Sequence, residues 1–166
     1  MEGSPQPPAP VWAAINAMDD FVATAMFGQQ EFARHLGLSV TDLICFAYVL
    51  QAGPDSPLTA GDLAERAHVT TGAVTGILNR LERGGFVTRQ PDPADRRRVR
   101  VAAVPAAAER VRAIYEPYYV LLADLFTRYT PDEIALIADW FTRAGTLART
   151  YLGESREGTR ADPGAR

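Results

Sequence analysis

Lysine is absent from this chain: all seventeen basic residues are arginine. A GC-rich genome produces that bias by itself, so the choice of arginine at one site carries little, and the placement of the charge carries more. Cysteine occurs once, at Cys45, which excludes an internal disulfide and suits a reducing, cytoplasmic setting. Histidine occurs only as His35 and His68, neither in a motif, and one Cys with two scattered His makes no structural zinc site. Phosphate-binding loops, nucleophile elbows and His-Glu-x-x-His patterns are missing. Asp19 and Asp20 are neighbours and point in different directions from a helix, as a solvated face rather than a catalytic pair. The chain therefore reads as a non-enzyme without metal or cofactor. Long apolar runs are missing too: LICFAYVL, residues 43–50, is far too short to span a bilayer. The opening MEGSPQPPAP has neither a basic region nor an apolar stretch and does not read as a secretory signal. No membrane partner is expected.

What is present is enough hydrophobic residue, 47% of 166, to bury a core in one domain or a small bilobed unit. The formal net charge is −3, yet residues 79–100 hold seven arginines (Arg80, Arg83, Arg89, Arg96, Arg97, Arg98, Arg100) against three acids (Glu82, Asp92, Asp95), a net of +4. The remainder holds ten arginines against seventeen acids, a net of −7. A local basic patch on an acidic body is the footprint of a polyanion partner; a merely solvated charged face is the alternative.

Helical periodicity dominates. One helix is expected from about Val11 to His35, with Ile15, Met18, Val22 and Ala25 in register. A second opens at Ser39-Val-Thr-Asp42, and a third, ending near Ala67, at Thr59-Ala-Gly-Asp62; both are capping-box patterns. A fourth covers roughly Thr71 to Gly84 with Val74, Leu78 and Leu81 as its buried stripe, ended by Gly84-Gly85. Two β candidates follow, FVTRQ and RVRVA, around the turn PDPAD. In the second, Val99, Val101 and Ala103 should pack while Arg98 and Arg100 project. Val111, Tyr115, Tyr118, Leu122, Leu125 and Tyr129 mark a fifth helix, which Pro117 should kink. Thr130-Pro-Asp-Glu133 starts a sixth. It should bury Ile134, Ile137, Phe141, Ala144, Ala148 and Tyr151, with Leu136, Trp140 and Leu147 as a second strip for another subunit.

Two short helices, a tight turn and a β-hairpin make a winged helix-turn-helix. Opposite its buried stripe the fourth helix would present Gly72, Thr75, Gly76, Asn79 and Arg83, small or polar residues that let a backbone approach the major groove. Thr70 and Thr71 suit phosphate, with N-cap as the plainer role of Thr70, and Thr75 or Asn79 suits base edges. The wing arginines suit the minor groove, with Asp95 orienting one of them.

The stretch LTAGDLAERAHVTTGAVTGILNRLERGGFVTRQPDPADRRRVRV resembles the winged core of the MarR family of bacterial transcription regulators, and the likeness extends over about residues 11–152. Its most specific element is Asp-x-Arg in the wing, Asp95-Arg96-Arg97, after RLERGGFVTR; the resemblance implies that Arg97 enters the minor groove. It also implies a homodimer built from the first and last helices, reading adjacent major grooves of a pseudo-palindromic operator about 34 Å apart. Two positions depart from the pattern: Val104-Pro105 replaces the usual Leu-Thr, and Gly76 stands where relatives carry a larger, often basic residue.

The expected organisation is a disordered segment at 1–10, helical dimerisation regions at 11–37 and 105–152, a winged helix-turn-helix at 38–104, and a disordered tail at 153–166. The DNA-binding set is Thr70, Thr71, Gly72, Thr75, Gly76, Asn79, Arg80, Arg83, Asp95, Arg96, Arg97 and Arg98. Family members release DNA on binding a small amphipathic effector, for which Trp12, Phe21, Tyr48, Tyr115 and Tyr118 are candidate lining, core packing being their other reading. Cys45, among Leu43, Ile44 and Phe46, should be buried with a raised pKa rather than act as a redox switch. The expected function is a homodimeric, sequence-specific, double-stranded DNA-binding repressor. Its rival is a winged-helix protein-interaction module without DNA binding, which salt-dependent affinity for duplex DNA would separate.

Overall fold

The computed structural model describes residues 8–53, 56–92 and 98–161, with side chains up to 153. Its elements are α1 (Ala9–Leu36), α2 (Val40–Ala52), β1 (Leu58–Thr59), α3 (Ala60–Arg66), α4 (Thr71–Arg83), β2 (Val87–Pro91), β3 (Val99–Ala103), α5 (Pro105–Phe126) and α6 (Pro131–Ala161). The chain is mainly α with one small antiparallel sheet, as expected. Two units divide it, one up to Tyr115 and one from Glu116.

Caps set the helix starts of the first unit. Ser39 Oγ accepts the Asp42 amide at 3.1 Å while Asp42 Oδ2 accepts the Ser39 amide at 3.3 Å. Thr59 and Asp62 make the same reciprocal pair at 2.7 and 3.3 Å. Each box satisfies two amides that no helical carbonyl reaches. Gly37, at φ 69°, ends α1 in the left-handed region.

The core of this unit gathers Phe46 and Val49 from α2, Leu63 from α3, Val74, Ile77, Leu78 and Leu81 from α4, and Val87 and Val101 from the sheet. Ala107 and Val111 close it from the start of α5. Phe86 packs edge-on to Phe46, ring centres 5.4 Å apart, and the Arg110 guanidinium covers its other side at 4.8 Å. The strands run in the order β1-β3-β2. Val87 pairs with Ala103, Arg89 with Val101 and Pro91 with Val99. The two-residue strand β1 is too short to show a period in sequence and joins through Leu58 opposite Val101.

In the second unit α6 starts with its own box, Glu133 Oε2 accepting the Thr130 amide at 2.8 Å. Pro117 lies inside α5, which continues on both sides of it. Three expectations are corrected. The last helix runs to Ala161 instead of ending near Gly153, because Glu154, Arg156, Glu157 and Ala161 favour helix without needing a buried face. The strip of α6 that was expected to pack is not fully buried within the chain: Phe141 and Tyr151 are both more than half exposed. Val99 is exposed rather than packed, since it pairs with the terminal Pro91 where the sheet leaves the core. Among the described residues no single helix is long and apolar enough to cross a membrane.

Candidate nucleic-acid interface

Helix α4 is amphipathic in the strict sense. Val74, Ile77, Leu78 and Leu81 are buried, while Thr71, Gly72, Thr75, Asn79 and Arg83 are exposed and Gly76 is half-exposed. The turn before it, from Ala67 to Thr70, holds His68 at φ 52°, a left-handed conformation rare outside glycine. Thr70 caps the helix, its Oγ1 accepting the Ala73 amide at 3.2 Å, and its hydroxyl hydrogen remains a donor. Thr75 donates to the Thr71 carbonyl at 3.1 Å, which turns its oxygen lone pairs outward. A Cβ on Gly72 would meet nothing within 4 Å, and one on Gly76 only Arg80 Nη1 at 3.6 Å. Nothing among the described residues requires glycine at either place.

The arginines divide into two groups. Arg80 turns inward: its Nη2 lies 2.7 Å from Oδ1 of Asp42 and its Nε donates to both carboxylate oxygens at 3.1 and 3.2 Å. Of the DNA-binding candidates it is thus the one tied to a buried carboxylate. One helical turn from Gly76 and next to Leu81, it reaches the α2 carboxylate while about half of its side chain stays exposed. The expectation for Arg100 is corrected. Instead of projecting, it donates through Nε and Nη2 to the buried carboxylate of Asp92 at 2.7 and 3.0 Å, tying the two sides of the wing base. Arg89 bridges Asn79 and Glu82. Ion pairs inside the domain thus engage three of the seven arginines, and the charge presented outward is smaller than a count over 79–100 implies. Arg83 and Arg98 stay exposed. Asp95, Arg96 and Arg97, the wing tip, lie outside the described residues.

Asp42 and Asp92 are buried carboxylates whose arginine partners sequence reasoning missed. Asp42 was visible as a cap, but nothing in a linear sequence pairs it with Arg80, 38 residues on. Burial pushes the Asp42 pKa up, and the hydrogen bonds from Arg80 and Ser39 together with the Arg80 charge outweigh it, holding the group below its ordinary 3.8. Asp62 is also lowered, chiefly by the Thr59 amide and hydroxyl, with smaller help from the Arg98 and Arg66 charges. Cys45 is 1% exposed and burial raises its pKa, as does the nearby Asp42 charge. The thiol is a core atom group, in line with its sequence neighbours.

The effector candidates do not form one cluster in the first unit. Tyr48 and Tyr115 are half-buried against the core, and Tyr115 packs on Phe32 with ring centres 4.4 Å apart and planes tilted by 54°. Trp12 and Phe21 are exposed on α1, about 14 Å apart along the helix axis. Tyr118, in the second unit, tilts against Tyr119 at 6.1 Å.

A helix-turn-helix whose second helix shows a polar, glycine-bearing face, followed by an arginine-rich β-hairpin, defines the winged-helix class of transcription regulators. Comparison with known proteins narrows the class. The sequence pattern of the MarR family matches residues 36–98. YcgE, an uncharacterised HTH-type transcriptional regulator of Bacillus subtilis, is 36% identical over 129 residues, covering 78% of this chain and 81% of YcgE. The chain belongs to the MarR family; it is a transcriptional regulator and not an enzyme. Solved structures agree on the fold. A MepR mutant from a multidrug-resistant S. aureus clinical isolate has a TM-score of 0.67 at 17% identity, over 81% of this chain and 96% of that one. S. aureus MepR in complex with DNA has a TM-score of 0.51 at 19% identity, over 68% and 95% of the two chains.

Proposed function

We propose that this protein is a homodimeric repressor that binds a pseudo-palindromic duplex operator, with α4 in the major groove and the wing in the minor groove. The observation that carries the proposal is the outer face of α4: among the described residues Gly72 and Gly76 leave the helix backbone open to close approach, beside the short polar side chains of Thr75 and Asn79. Such a surface lets a helix sit deep in a groove, with Thr70, Thr71 and Arg83 placed for phosphates. The solved MepR–DNA complex shows that a protein of this fold engages DNA. Arg96, Arg97 and Arg98 supply the wing, Arg97 being the residue that the family motif assigns to the minor groove.

Dimerisation is supported by where exposed apolar side chains fall. Apart from Val99, every large exposed hydrophobic among the described residues lies on α1, α5 or α6 or, as Tyr129, in the turn between the last two. A solvated chain does not leave Phe27, Leu121, Leu136 and Leu147 about 70% exposed without a partner to cover them. Release by a small amphipathic aromatic molecule completes the proposal, with Tyr115 and Tyr118 each a candidate contact.

Fluorescence anisotropy tests this with duplex from upstream of the protein's own gene and a scrambled duplex, over a salt series. The expected result is preferential binding of the native duplex, a steep loss of affinity with salt at about 0.9 per neutralised phosphate, and weakening by Arg97→Ala. Release of that duplex by members of a panel of amphipathic aromatics tests the effector. Absence of duplex binding even at low salt would replace the proposal by the protein-interaction module.

A further inference from the structure

Arg89 lies on β2 two residues beyond buried Val87, so strand alternation turns it toward α4 instead of outward. Its Nη2 donates to Oδ1 of Asn79 at 2.8 Å, and its Nη1 lies 3.2 Å from Oε2 of Glu82. Asn79 and Glu82 are three residues apart on α4 and therefore share a face that one planar guanidinium can span. A guanidinium carries only donors, so the carboxamide atom that faces it is the oxygen. The orientation of the Asn79 amide is thereby set by chemistry and not by its own rotamer freedom. Glu82, in turn, keeps the arginine from swinging out to solvent or to a phosphate.

We propose that Arg89 is a specificity-positioning residue: by engaging Oδ1 of Asn79 it leaves the two Nδ2 hydrogens as the groups offered to a base edge. The inference rests on the DNA-binding function above and adds which bases one residue selects. An asparagine that reads adenine bidentately accepts from N6 through Oδ1 while donating to N7. Guanine presents two acceptors, N7 and O6, and cytosine presents a donor at N4. With its oxygen turned toward Arg89, Asn79 favours guanine, takes adenine less well and rejects cytosine.

The test uses the full chain and a randomised duplex pool. Selection with wild type and with Asn79→Ala identifies the base pair that Asn79 reads, and the four single-position variants of the selected duplex are then titrated at fixed salt. Wild type should prefer guanine there by roughly tenfold. Arg89→Ala should erase the preference of guanine over adenine while other positions keep theirs, and Arg89→Lys, which still donates to the oxygen, should retain it. Asn79→Asp preserves the contact with Arg89 and so the local fold, but offers only acceptors; preference should move to cytosine. Circular dichroism and melting confirm that each variant is folded. The inference is overturned if Arg89→Ala weakens all four duplexes equally with a shallower salt dependence, which would make Arg89 a phosphate ligand. It is equally overturned if Asn79→Asp leaves the base profile unchanged. Failure of wild type to bind any duplex would instead sink the DNA-binding function itself, an outcome distinct from these two.

Discussion

The guanidinium of Arg80, on α4, straddles the carboxylate of Asp42, on α2, with 2.7 Å between Nη2 and Oδ1. That carboxylate, on the third residue of α2, also closes the α2 capping box, so one buried group serves two elements at once. It fastens α4 to α2, the helix that follows the α1–α2 bend. The pairing is asymmetric: the Asp42 side chain is 3% exposed and that of Arg80 is 48% exposed. Loss of the arginine therefore leaves a buried charge without its partner, which costs more than the ion pair contributes in water.

A pH dependence follows, with a definite sign. The folded pKa of Asp42 lies below its ordinary 3.8, so its contribution is complete above about pH 4 and is lost as pH falls through the folded value. Arg80→Gln should be less stable than wild type at pH 7, and the gap should narrow toward pH 3. Urea unfolding of both proteins at the two pH values measures it. A gap that is constant with pH would show that Arg80 stabilises through packing of its stem and not through the carboxylate.

Gly76 offers a separation of stability from binding. Mid-helix glycine costs about 1 kcal/mol relative to alanine, and a methyl group here would touch only a flexible guanidinium at 3.6 Å. Gly76→Ala should therefore raise the melting temperature, by roughly 2–4 °C for a chain of this size. In the same protein the added methyl should weaken operator binding by tenfold or more, because it stands between the helix backbone and the base edges. Melting curves and anisotropy on one preparation give both numbers. An unchanged affinity would mean that this part of α4 does not approach DNA closely.

The two glycines that end α4 are needed for different reasons, and the difference is measurable. At Gly84 the backbone is ordinary, with φ −77°, but a Cβ would lie 3.0 Å from the Phe86 ring and 3.3 Å from the Arg80 carbonyl. At Gly85 the surroundings are open and φ is +69°. Gly84→Ala should lose about 1–3 kcal/mol through displacement of Phe86, which is wedged between Phe46 and Arg110. Gly85→Ala should lose about 1–2 kcal/mol through backbone strain, and Gly85→Asn less, since asparagine tolerates that region. Denaturant unfolding of the three variants checks the order; equal losses for Gly85→Ala and Gly85→Asn would speak against strain.

The parts of this molecule that were legible in the sequence are those written in local spacing. Three capping boxes, the buried stripe of α4, the Gly84-Gly85 stop and the two strands of the wing all depend on residues within a few positions of one another. Pairings over distance were not legible. Nothing marks Asp42 as the partner of Arg80, Asp92 as that of Arg100, or Asn79 as that of Arg89. Each arginine therefore counted toward the outward charge until the fold turned it in. The effector candidates suffered similarly: aromatic identity says nothing of whether Tyr115 packs on Phe32 or lines a cavity. The apolar strips on α6 were readable as helix faces, whereas what covers them depends, on the proposed dimerisation, on a second copy of the chain.

That dependence gives the last prediction. Leu136, Trp140 and Leu147 fall at positions i, i+4 and i+11, within about 40° of one another around α6, and they are 68%, 44% and 72% exposed. If this strip is the surface that joins two copies, a charge placed in its middle must be buried against apolar groups or hold the copies apart. Separation costs less, so Leu147→Glu should sediment as a monomer at concentrations where wild type is a dimer. Its winged domain has a separate core, from Phe46 to Val111, and should keep its helical circular dichroism. Operator affinity should then fall steeply, because a single winged domain contacts one half-site and the two half-sites no longer bind as one unit. Sedimentation velocity on wild type and variant decides the matter. A wild-type monomer would refute dimerisation, and a variant that remains a dimer would assign the contact to α1 and α5 instead.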